Sequence, residues 1–286
     1  MSTMSSIPDP SQPVITERDM VSAFEILGGA TADPEADAVA TLTDEELIAL
    51  GTPEATSLLG APFLDQGIDP AVSSATALRS FIARRLVSVD PDTWEPEGEI
   101  VLGSTDAARR PFQADRLLTG LVTLRRIPEA MLVATRALSG GTTTLAHYVY
   151  AGGGVLEEFI STDGMHTFTA LMLPAVAERL QAFVDPFSDA TADGDPRTVE
   201  GDAGLESLRT DRTRAVTTVA AVSEGDGPRI GLFASEGELI AADLGQVGAD
   251  TAAAQVAAVS SESLRALLDE LVASAQPAAQ DPSAQS

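Results

Sequence analysis

Cysteine and lysine are both absent from this 286-residue chain. Without cysteine there are no disulfides, no thiol catalysis and no thiolate metal sites. All 17 basic residues are arginine, which excludes a P-loop lysine, a Schiff-base lysine and a lysine general base. No apolar run approaches the roughly 20 residues that span a bilayer. The opening "MSTMSSIPDPSQP" has neither the basic nor the apolar region of a secretory signal, so the chain is expected to be cytoplasmic. Positive charge is scarce: 43 acidic residues give a formal net charge of -26. Such a surface repels phosphate backbones and anionic lipid, which disfavours nucleic-acid and membrane partners and favours cationic or neutral ones.

What is present is enough for a packed core, with 44% apolar residues. Residues 1–14 and 274–286 are small, polar and proline-bearing, and read as disordered tails. Residues 15–130 have mainly helical spacing. In "TLTDEELIAL" Thr43 is placed to cap a helix and Glu46 to bond back, with Leu47 and Leu50 on the apolar side. "ATALRSFIARRLV" sets Leu78, Phe81, Ile82 and Leu86 on one face. A loop holding Trp94, the short apolar run "EIVLGS" and a helix over "FQADRLLTGLVTLRRI" follow, bounded by Pro128.

From Met131 the period becomes extended. "MLVATRAL", "TTTLAHYVYA", "GVLEEFIS" and "GMHTFTALM" are β-rich runs divided by glycine-bearing turns, and they lead into the helix "LPAVAERLQAFV" with its stripe of Val176, Leu180, Phe183 and Val184. After an acidic, glycine-rich linker over residues 185–213 the order recurs. "RAVTTVAAV", "RIGLFAS", "GELIAADLG" and "AAAQVAAV" read as strands, and "SSESLRALLDELVAS" as a helix capped by Ser260. Residues 131–184 and 214–273 are therefore two ββββα units. The predicted fold is α+β: two pseudo-twofold-related units forming antiparallel sheet, with an N-terminal helical segment.

The stretch "HYVYAGGGVLEEFISTDGMHTF" holds both histidines and two adjacent glutamates. His147 and His166 with Glu157 or Glu158 have the residue types of a zinc or iron site. In a meander, however, the histidines lie two strands apart, roughly 9–10 Å, and each alternates with apolar neighbours, so both are expected as ordinary, partly buried histidines. "AGGGVLEEF" leads into a strand rather than a helix, which makes it a wide turn and not a phosphate cradle. No G-x-S-x-G occurs, and the many carboxylates, which could supply an acid/base pair, are assigned mostly to polar faces and linkers. No residue is assigned as catalytic, cofactor-binding or metal-ligating, and no cofactor is expected.

One basic concentration stands apart. From Ser73 to Arg136 nine arginines face eight acidic residues, and a helix followed by "RRLVSVD…GEIVLGS" has the order of a winged-helix recognition helix and wing. A near-neutral patch on a strongly acidic body releases few counterions, so DNA binding is the lesser alternative.

The front segment "TLTDEELIALG", the unit "LRSFIARRLV…GEIVLG", the run "RRIPEAMLVATRAL" into "HYVYAGGGVLEEF", and the closing "VAAVSSESLRALLDELV" together resemble the EspG-type secretion chaperones of actinobacterial type VII (ESX) systems. The resemblance extends from about residue 15 to 273 and departs from the family in a short helical lead-in around "GLESLR". It implies two pseudo-twofold halves of antiparallel sheet with helices, and a nonenzymatic cytosolic chaperone that binds helical secreted substrates. It carries over no individual binding residue. An interaction protein of unknown pathway with the same fold stands as the alternative.

Overall fold

A computed structural model describes residues 15–51, 59–89, 112–223 and 227–276. The fold is mixed α+β with a large antiparallel sheet and several helices. By internal contacts the chain divides into one unit of residues up to 28 plus 42–126, and a second of residues 29–41 plus 127 onward.

The first unit is mainly helical. Helix α1 (Glu17–Leu27) begins at a capping box of Thr16 and Asp19. The short strand β1 (Ala40–Thr43) runs straight into α2 (Asp44–Leu50), where Thr43 accepts from the Glu46 amide and Glu46 accepts from the Thr43 amide. This is the reciprocal cap anticipated from the sequence. Helix α3 (Pro70–Ala83) starts at Asp69, which accepts from the Ala71 and Val72 amides, and it buries Leu78 and Phe81. Ile82 and Leu86 are only half-buried, because the helix stops at Ala83 and Arg85 takes a left-handed φ of 62°.

Strands β2 (Val87–Val89) and β3 (Phe112–Ala114) pair antiparallel ahead of α4 (Arg116–Arg126). The helix expected from Phe112 therefore begins four residues later. Asp115 accepts from the Leu118 amide, and residues ahead of such a cap leave helical geometry. Trp94, "EIVLGS" and the expected wing lie outside the described residues, as do residues 1–14 and the tail beyond 276.

Helices α1 and α4 cross closely at Gly120, where an added Cβ would stand 2.5 Å from the Ser22 carbonyl oxygen and 2.7 Å from the Ile26 Cδ1. Backbone cannot move aside as a flexible side chain can, so only glycine permits the crossing.

The second unit is built on the sheet. Its order is β1-β7-β6-β5-β4-β9-β10-β11-β12-β8, with β4 (Ala130–Leu138), β5 (Gly141–Val149), β6 (Gly154–Ile160), β7 (Met165–Met172), β8 (Arg197–Glu200), β9 (Thr213–Val222), β10 (Pro228–Ser235), β11 (Glu238–Gln246) and β12 (Ala253–Ala258). The two meanders meet where β4 pairs antiparallel with β9, from Met131↔Val222 to Ala137↔Val216.

Helix α5 (Val176–Val184) follows β7, and α7 (Ser261–Ser274) follows β12 under a Ser260 cap. Both helices bury their stripes in one apolar core with Leu132, Leu145, Val149, Val219 and Leu232. A smaller core holds Val199, Phe233, Ala242 and Val256 with Leu208, which follows the short helix α6 (Gly201–Glu206).

The residues expected as an acidic linker thus contain β8 and α6, and three of the aspartates are engaged. Asp185 accepts from the Asp189 and Ala190 amides, buried Asp189 pairs with Arg214, and Asp193 accepts from the Ser260 amide at 2.7 Å. These acids hold turns and a helix start, not merely a hydrated surface.

Gly120→Ala should destabilise the protein by about 1–3 kcal/mol despite alanine's better helix propensity, through overpacking against α1. Urea unfolding checks this; an unchanged or raised midpoint would contradict the close crossing.

Candidate functional site

Strands β5, β6 and β7 bring the two histidines and two glutamates into the interior, and pleating sorts them into two groups. His147 sits opposite Glu157, and Glu157 opposite Thr169, so these share one face. Glu158 sits opposite Ala146 and Phe168, and with Tyr148 and His166 belongs to the other face. His147 and His166 therefore lie on opposite sides of the sheet, a stronger obstacle to joint metal binding than their separation. Among the described residues no group of three or more His, Asp or Glu side chains is placed to hold a metal ion.

On the helix-covered face, the His147 imidazole Nε2 is 2.9 Å from Glu157 Oε2. Arg179 of α5 grips the same carboxylate, its Nε standing 3.1 and 3.0 Å from the two oxygens with a further bond from Nη2. Arg179 Nη1 also donates to the Pro34 carbonyl at 2.8 Å. One guanidinium thus ties the helix to the sheet and to the strap of residues 29–39. That strap is also held where Met172 donates to the Thr31 carbonyl and Val39 to the Phe168 carbonyl. His147 Nδ1 has no hydrogen-bond partner among the described residues.

On the other face Tyr148 donates its hydroxyl to Glu158 Oε2 at 2.6 Å, and His166 Nδ1 lies 2.6 Å from Glu158 Oε1. All three side chains are buried.

Burial is the largest single influence on Glu157 and opposes its ionisation. The hydrogen bonds and charges of His147 and Arg179 together outweigh it and bring the pKa down to about 2. The same carboxylate raises the pKa of Arg179. A carboxyl that stays ionised far below neutral pH, with both oxygens engaged by fixed donors, is poorly matched to general acid–base work. The arrangement can anchor an ion pair in the core.

The sequence pointed to these residues but misjudged their surroundings. Both histidines are fully buried, not partly. Glu157 and Glu158 lie in the core, not on a polar face, because adjacent strand residues point to opposite faces and here both faces are buried. Arg179 was missed, although its position between Val176 and Leu180 sets it beside the buried stripe, where a cation requires an acid. The "AGGG" turn is as expected, with Gly152 and Gly153 both at φ 81° and strand β6 following directly.

No protein-family model matches the chain, and no curated protein sequence matches it.

Because the folded pKa of Glu157 lies below its ordinary 4.5, its stabilisation is complete above about pH 5 and is lost as pH falls from 4.5 towards 2. The shift corresponds to about 3 kcal/mol. Glu157→Gln should cost about 3–5 kcal/mol at pH 7 by stranding Arg179. It should also flatten the fall in stability between pH 5 and 2.5 relative to wild type. Parallel pH curves from chemical denaturation would remove Glu157 as the cause.

Proposed function

We propose that the protein is a nonenzymatic, cytosolic binding protein, a substrate-binding chaperone of a type VII (ESX-like) secretion system that holds helical export substrates. The observation that carries this is the doubled plan of the sheet. Each half is a ββββα unit, the two first strands pair antiparallel at the centre, and both closing helices lie in one core. A pseudo-twofold through the Ala134↔Val219 pair relates the halves.

The correspondence extends to the outer edges. Strand β1 lies beside β7 and passes directly into α2, as β8 lies beside β12 and passes directly into α6. The "GLESLR" region is then the shortened second copy of the lead-in that opens with "TLTDEELIAL". A paired-sheet body of this kind is what the resemblance to the EspG-type chaperones implies. The engagement of the most conspicuous ionisable groups with one another further favours binding over catalysis. Affinity for a helical partner would come from a few apolar or arginine anchors inside a polar rim.

Affinity purification from the native host with mass spectrometry is the test. The expected result is a stoichiometric complex with a small helical protein that is exported and encoded nearby. Recovery of the protein alone, or its salt-sensitive retention on DNA, would contradict the proposal.

A further inference from the structure

The strand registers allow the two halves to be compared residue by residue. In the first half one cross-strand row reads Leu132, His147, Glu157, Thr169. The row at the same distance from the Ala134↔Val219 pair in the second half reads Thr217, Leu232, Ala241, Ala257. The helix stripes match as well: Val176, Leu180, Phe183 and Val184 of α5 correspond to Leu264, Leu268, Leu271 and Val272 of α7, all buried. That alignment sets Leu267 where the first half has Arg179. In the neighbouring row, Leu145 and Phe159 correspond to Ile230 and Asp243.

The place filled in one half by His147, Glu157 and Arg179 is thus lined in the other by Leu232, Ala241 and Leu267. Glutamate to alanine and arginine to leucine remove much side-chain volume. At this position the second half has a cleft of about 490 Å³, whose lining includes Ile230, Ala241, Val259, Leu267 and Leu271. Among the described residues its charged lining is Asp243 and Glu270, both acidic and both exposed. The first half has no carboxylate at either position, with Phe159 in place of Asp243 and Ala182 in place of Glu270.

The geometry points to this cleft as a binding site for a small molecule with an apolar body and one cationic nitrogen. The volume lies in the range of small-ligand pockets, which pair apolar walls with a few polar groups that fix orientation. The apolar body displaces water from the Ala241 and Leu267 surface. The cation meets Asp243 and Glu270 at the mouth, and the strongly acidic chain draws it there. The site rests on the registers and the lining, not on the chaperone function, and stands if no secretion partner is found.

Isothermal titration calorimetry with octylammonium and octanoate tests it. Octylammonium should bind saturably at one site, with octanoate at least about tenfold weaker, the scale of two exposed carboxylate contacts. Asp243→Asn with Glu270→Gln, both at exposed positions, should bring the two ligands within about threefold of each other by removing those contacts. Ala241→Phe should abolish binding by filling the floor. If that variant does not fold, methyl NMR shifts of Ile230, Leu267 and Leu271 in the wild-type protein must report the ligand instead. Absence of saturable binding, equal binding of octanoate, or a preference unchanged in the charge variant would overturn the site.

Discussion

The antiparallel pairing of β4 with β9 is the constraint on which the rest of the second unit depends. It joins two meanders, each with its own closing helix, into one continuous sheet. An isolated meander would expose its first strand as a free edge, open to pairing with other chains. Joining the first strands removes both central edges at once and moves the remaining ones outward, to the short strands β1 and β8. It also allows α5 and α7 to share one core, since both then lie on the same face of the same sheet.

Within the sheet the first meander carries the buried cluster of His147 and Glu157, closed by Arg179 from α5. A buried ion pair contributes little net stability compared with a well-packed apolar substitute, yet breaking one partner is costly. What the pair provides here is position. Arg179 fixes α5 against the sheet and holds the strap at Pro34. The segment ahead of β8 is secured by other contacts, through Asp193 at the start of α7 and Asp189 with Arg214.

Much of this was legible in the sequence. The change from helical to extended spacing at Met131, the Thr43 and Ser260 caps, the glycine turn and the stripe of α5 are local signals, and local geometry decides them. Residues 185–213 were harder. Their composition is that of a solvated linker, but Asp189 and Asp193 bind backbone amides and one arginine contributed by distant segments, and spacing does not encode those partners. Glu157 and Glu158 posed the same difficulty. An acidic pair ordinarily marks surface, and only the burial of both sheet faces, together with an arginine 22 residues downstream, makes the interior tolerable for Glu157.

Native-state hydrogen exchange across the β4–β9 junction tests this account most directly. If the pairing unites the halves, the amides of Leu132, Ala134, Val219 and Ala221 should exchange only through global unfolding, with one common free energy equal to that from chemical denaturation. Exchange of the β9 amides through a separate, lower-energy opening while β4 stays protected would contradict it.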